Sequence, residues 1–267
     1  MSLSVICTIA GVVWREMLRK KDVYVLLILL IVLLVSLLVV NVFGLKGVAG
    51  YVTDLGLSFA WLFSWILAVL VSARQLPAEE KQGTIFSLLA KPITRGELVA
   101  GKWLGAWSVT MAATLCFYAM IIAVVAIRTE GDISLPPQVM LQAVLLHVAV
   151  LGVICAIALA LSTRMNFDAA ATFCFVLTGA CLVLVPSIPE YLLKAEGVQA
   201  AALTSLWHLM PHFEVFDLRQ RVVYDAAPAQ WSVVGQVLVY GAMMTCAVLI
   251  LAWLGYRDKK FRRGDAL

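Results

Sequence analysis

Six stretches of the chain run without a single Asp, Glu, Lys or Arg: 23–43, 55–73, 103–127, 138–162, 169–187 and 233–254. Each reaches the about 18 uncharged apolar residues that mark a membrane span, because roughly 20 residues at about 1.5 Å rise cross the hydrocarbon layer. Lipid offers no partner to a backbone N–H or C=O, so each run predicts a helix. Ahead of them, 3–20 reads as an amphipathic helix with Ile6, Ile9, Val13 and Met17 on one face and Thr8, Arg15 and Arg19 turned away. Such a segment lies in the membrane interface and leads into the first span; an ordinary N-terminal anchor is an equally good description. The predicted class is all-α integral membrane, a single transmembrane domain over 1–267.

The connections differ in length. Those at 44–54 and 128–137 are short and marked by Gly44, Gly47, Gly50 and the pair Pro136-Pro137, and 163–168 is shorter still. Two are long, 74–102 and 188–232, and neither length is needed merely to join two helices. In 188–232, Pro189, Gly197, Pro211 and Pro228 break apolar stretches into what we expect to be short helices, re-entrant or lying on the surface.

Composition agrees with the spans. The 267 residues are 63% hydrophobic and 13% charged, more apolar than a soluble domain with a polar outer layer can be. With six spans both termini share a face, and that face carries 15 of the 20 Lys and Arg, leaving 5 for the other. Positive charge concentrates on the cytoplasmic side, so the termini are expected in the cytoplasm of a cell (inner) membrane. The net charge of +4 then reflects topology and contact with anionic lipid, and calls for no nucleic-acid partner. Trp103, Trp107, Trp231 and Trp253 stand near span ends and suit interfacial anchoring. Cys7, Cys116, Cys155, Cys174, Cys181 and Cys246 lie in apolar or amphipathic segments, which suits packing better than disulfides or metal.

The inner connection reads RQLPAEEKQGTIFSLLAKPITRGELVAGK. Pro77 suits the first turn of a short helix, with Glu79 and Glu80 complementing its N-terminus. Ile85, Phe86, Leu88 and Leu89 give that helix an apolar side, and Pro92 ends it. Thr94-x-x-Glu97 is a capping box that starts the next helix. The run GELVAGKW at 96–103 is one letter from the phosphate loop G-x-x-x-x-G-K-[ST]. A phosphate loop needs a preceding strand and a hydroxyl for magnesium; here a helix cap precedes and Trp103 supplies no hydroxyl. Gly101 and Gly105 form G-x-x-x-G, a spacing that lets helices approach closely. We therefore expect no nucleotide site, no catalytic residue and no metal in this chain.

The same loop resembles the signature of the ABC type-2 permeases, the membrane subunits of ATP-binding-cassette exporters. The ordered residues are Arg74, Pro77, Glu79, Gly83, Thr84, Leu88, Leu89, Pro92, Arg95, Gly101 and Lys102, with Glu80 beside them. The six-span plan, the N-terminal helix and the long outer segment are similar to that family too, in its small single-domain kind. Lys81 departs from the pattern, where many members carry a second acid. The resemblance implies a coupling helix in 74–102 docked on separate ATPase subunits, two per complex, which bind ATP and Mg. It implies a second permease copy or homologue enclosing an export path, and re-entrant helices before the last span.

Polar residues elsewhere say less. His208 and His212 have the spacing of a zinc-protease pair but lack its glutamate, and Pro211 disturbs the helix between them. His147 is the one titratable Asp, Glu, Lys, Arg or His inside the predicted spans. It reads as an interhelical hydrogen bonder or a path-lining group. Gln142 and Gln236 are further path-lining candidates, with Asn41 and Gln138 read as polar packing. An ion-coupled secondary transporter is the alternative; such machines usually need membrane-embedded carboxylates or histidines, and the lack of any acid in the spans counts strongly against proton coupling and less against sodium. An intramembrane protease needs a catalytic set that is missing, and a non-transporting anchor for a cytoplasmic ATPase would share the loop.

Overall fold

The computed structural model describes residues 2–19, 24, 28, 31–32, 48–83, 93–128, 136–224, 226–257 and 259, and every regular element among them is helical. In chain order these are α1 (Leu3–Arg19), α2 (Val48–Gln82), α3 (Arg95–Arg128), α4 (Pro137–Ser162), α5 (Phe167–Leu184), α6 (Ile188–Leu192), α7 (Val198–Leu209), α8 (Arg219–Val223) and α9 (Trp231–Arg257). Short 3-10 turns stand at Val185–Ser187 and Phe213–Phe216. Five membrane-length apolar helices occur among the described residues: Thr53–Lys81, Arg95–Ala126, Pro137–Ser162, Phe167–Leu192 and Trp231–Arg257. The expected span at 23–43 lies outside the described residues apart from Tyr24, Ile28, Ile31 and Val32, which are helical and exposed.

α4 is the central post. It begins with Pro137 in its first turn, where a missing N–H costs nothing, and 67% of its apolar window is buried, against 17% for α9. Around it, Ala68, Ala73, Ala156 and Ala158 let the helices close up, and Trp61, Leu151, Ile154 and Phe216 fill the space between them. α5 is started by Asn166, whose side-chain oxygen accepts from the Ala169 N–H at 3.2 Å, with Asp168 in its first turn. The segment 188–224 folds into short helices over the end of the bundle at which α2 begins, and buries Phe213 and Phe216 beside Leu146 and Val150.

Two expectations need correction. Pro77 does not open a new helix: α2 runs through it to Gln82, and the stop comes at Gly83. Gly83 has φ +69° and gives its N–H to the Glu80 carbonyl at 3.2 Å, a left-handed stop that glycine adopts without strain. A proline removes one donor from the ladder, and the buried Ala73, Gln75 and Leu76 just before it, with the Glu79–Lys102 ion pair just after it, hold the helix across that gap. Glu79 and Glu80 therefore occupy the last turn of α2, where the helix dipole disfavours acids. Trp103 and Trp107 are likewise not turned to the membrane surface. Their indoles stack at 5.2 Å and donate to the carbonyls of Gly152 and Val148 on α4, both at 2.9 Å. An indole N–H inside a helix pair takes the acceptor within reach.

α1 buries Ile9, Ala10, Val13 and Met17, and its apolar face lies on α3. The seam is made by Gly101 and Gly105, where an added Cβ would sit 2.7 Å from the Cβ atoms of Ile9 and Val13 respectively. The Trp14 indole donates to Ser108 Oγ at 2.7 Å across the same seam. Gly105→Leu is expected to cost about 1–3 kcal/mol by overpacking and to lift α1 away. Limited proteolysis in detergent would then cut within 2–19 well before the bundle; unaltered resistance would show that the seam does not hold α1.

Candidate functional site

The predicted coupling segment divides into described flanks and an undescribed middle. Thr84, Leu88, Leu89 and Pro92 fall outside the described residues. Arg74, Pro77, Glu79, Glu80 and Gly83 close α2, and Arg95, Gly101 and Lys102 open α3. The capping box forms as the spacing requires: the Thr94 N–H donates to Glu97 Oε2 at 2.9 Å, and the Glu97 N–H donates to Thr94 Oγ1 at 3.2 Å. Glu97 Oε1 also accepts from the Ser2 N–H at 2.6 Å, which ties the beginning of α1 to the beginning of α3.

The flanks are bolted together by buried charge. Lys102 is 1% exposed and forms an ion pair with Glu79, itself 13% exposed. Lys102 Nζ also donates to Gln75 Oε1 at 3.3 Å, and Gln75 Nε2 donates to the Val71 carbonyl at 3.1 Å. The amine of the near-miss phosphate loop thus faces a carboxylate from α2, on a helix that begins at Arg95. A charge this deep is tolerated only with a partner and a full set of hydrogen bonds.

The next acid reaches further. Lys259 Nζ donates to both oxygens of Glu80 at 2.8 Å and to the Thr163 carbonyl at 2.9 Å, the residue that ends α4. Arg95 Nη1 donates to the carbonyls of Tyr256, Arg257 and Lys259 at 2.7, 2.5 and 3.0 Å. Those are the last carbonyls of α9 and just beyond, which an intrahelical N–H cannot reach and a cation satisfies. The Arg74 guanidinium lies 5.0 Å above the Phe167 ring at the start of α5. Through these contacts the two flanks grip one end of every long helix described. Among the partners, Thr163, Lys259 and the C-terminal carbonyls of α9 carry no local sequence signal, because they lie up to 179 residues from the loop residue they serve.

Of the three path-lining candidates, His147 lines a cavity with Trp61, Val150 and Ile154, and Gln142 and Gln236 are not among its lining residues. His147 is fully buried and bonded through both ring nitrogens, to Ser64 Oγ at 2.8 Å and Tyr118 Oη at 3.2 Å, with Trp61 stacked on it at 4.4 Å. Gln142 is buried and pairs with the backbone of Ala229, donating to its carbonyl at 2.8 Å and accepting from its N–H at 3.0 Å. Gln236 is exposed on α9. His208 and His212 both meet the Trp207 ring edge-on, at 4.9 and 4.6 Å, and among the described residues no group of three metal-ligating side chains is found.

A family model described as ABC-2 family transporter protein matches residues 50–255. No curated protein matches the chain. The matched stretch takes in the bolted flanks, α4, α5 and nearly all of α9, well over half of the chain. Members of that family are the membrane subunits of their transporters, work with ABC ATPase partners and are not themselves the catalytic ATPase. With several membrane-length helices and this match, the chain belongs to the ABC-2 family of transporter proteins, as a multi-pass permease subunit.

Proposed function

We propose that this chain is the permease of an ATP-driven exporter in which 74–102 is the contact with two separate ATPase subunits. The observation that carries the reading is the bolting of both loop flanks to the rest of the bundle. Glu79–Lys102 joins α2 to α3, Glu80–Lys259–Thr163 joins α2 to the ends of α9 and α4, and Arg95 joins α3 to α9. A partner that displaces the segment between Gly83 and Thr94 therefore moves several spans as one body, since the buried Glu79–Lys102 pair resists being pulled apart and the part-exposed Lys259 and Arg95 contacts add to it. The apolar side chains Ile85, Phe86, Leu88 and Leu89 in that segment suit a groove on a soluble protein. ATP and Mg would reside in the partner. Two permease copies, with termini and loop in the cytoplasm of an inner membrane, would enclose the path.

The test leaves the bolts intact. Residues 84–91 are replaced by a Gly-Ser linker of equal length, and ATPase co-purification and ATP-dependent flux are measured alongside thermal stability. Expected are normal stability, loss of the ATPase from the preparation and flux at background. An ATPase that still co-purifies and turns over as before would remove the loop from its assigned role.

A further inference from the structure

At the end of the bundle away from the loop, α2, α4 and α5 splay around a cavity of about 670 Å³ that the segment Glu214–Gln220 partly roofs. By helix rise it lies roughly 30 Å from Gly83. The volume is in the range of sites that enclose drug-sized molecules, about 300–1,000 Å³. Its walls are apolar, with Leu62 and Trp65 from α2, Leu151 and Ile154 from α4 and Leu182 from α5. Its charged groups, Glu214, Asp217 and Arg219, sit at the roof, while Ser58 of α2 and His147 of α4 are the polar side chains in the walls.

The roof has a definite charge. Arg219 is paired: Nε and Nη2 donate to the Asp217 carboxylate at 2.7–3.0 Å, and Nη1 donates to Ser58 Oγ at 3.2 Å. Its guanidinium lies 5.1 Å above the Trp61 ring, which is also stacked on His147. Asp217 and Arg219 cancel. Glu214, also in the cavity wall, has no side-chain hydrogen bond or ion pair among the described residues. The cavity thus carries one uncompensated negative charge above a greasy floor. Arg219 shows what the site accepts, a flat cation against an indole with a carboxylate beside it.

We propose that this cavity is a binding site for amphiphilic organic cations, the charged group held by Glu214 and the apolar body seated among Leu62, Trp65, Ile154 and Leu182. An anion meets Glu214 head on beside a guanidinium already neutralised by Asp217, and a neutral apolar molecule would leave the Glu214 carboxylate partly desolvated without a partner. That such a cation is cargo rests on the exporter reading above. The binding does not, and it is measured on the full chain without any ATPase, so the two can fail separately.

The probe is tetraphenylphosphonium, with tetraphenylborate as the anion of the same shape. Saturable binding to the permease in lipid nanodiscs is measured after subtraction of empty discs. The cation should saturate and the anion should not. Glu214→Gln should weaken cation binding about tenfold, and Leu182→Trp, which fills the floor without touching the charge, should abolish it. Should Glu214→Gln fail to fold, Leu182→Trp decides the matter alone, by losing the cation or keeping it. Equal affinity for the two ions, or cation binding that survives both substitutions unchanged, overturns the assignment.

Discussion

Lys102→Met is expected to destabilise the purified permease by about 3–5 kcal/mol, because it strands the Glu79 carboxylate at the joint between α2 and α3. The magnitude comes from burial. With Lys102 at 1% and Glu79 at 13% exposure, the pair is out of the reach of water that makes surface ion pairs nearly worthless. Glu79→Gln alone should also be costly, since it leaves the ammonium with amide oxygens only. The double substitution Glu79→Gln, Lys102→Met should recover most of the loss, as neither charge is then left alone. Unfolding by SDS titration reads all four proteins. Additive losses in the double variant would mean that the two side chains do not act as a pair.

His147→Leu carries the second large effect, about 2 kcal/mol. Three helices meet at this ring: Ser64 on α2, Tyr118 on α3 and the imidazole itself on α4. Ser64 Oγ keeps the Ala60 carbonyl at 2.6 Å, so the loss falls on the buried Tyr118 hydroxyl and on the Trp61 ring that loses its stacked partner. The same titration should show the loss, and near-UV circular dichroism should show a weakened tryptophan signal. A companion Tyr118→Phe separates the hydrogen bond from the stacking. If Tyr118→Phe costs as much in the His147→Leu background as in the wild type, the hydroxyl and the ring are not coupled.

What was legible in advance was local. The uncharged runs at 103–127, 138–162 and 233–254 fall inside α3, α4 and α9 because lipid forces every backbone group into a helix. Thr94 and Glu97 sit three apart and cap each other, and Gly101 with Gly105 make the flat strip on which α1 lies. The misreadings came where packing overrode a local rule. Pro77 is a helix starter on paper, but neighbouring buried side chains carry α2 past it. Trp103 and Trp107 stand where interfacial anchors stand, yet their indole N–H groups are taken by carbonyls of α4. The loop site was half legible. Its members Glu79, Glu80, Arg95 and Lys102 were named from their order along the chain, while their partners Gln75, Thr163 and Lys259 follow from the fold alone. Of the Glu214 cavity only His147 was marked in advance, as a path-lining candidate, because the walls come from four separate stretches that the fold alone assembles.

Arg95 and its three carbonyl acceptors also bear on biosynthesis. The guanidinium is translated some 160 residues before the backbone it finally holds. A nascent chain inserted as far as α5 therefore has the clasp without the thing to be clasped, and the last crossing locks only when the ribosome has delivered residues 256–259. A stop codon or a rigid fusion placed just ahead of that tetrapeptide would leave every apolar segment available for insertion and still yield an unlatched product, open to quality-control proteases.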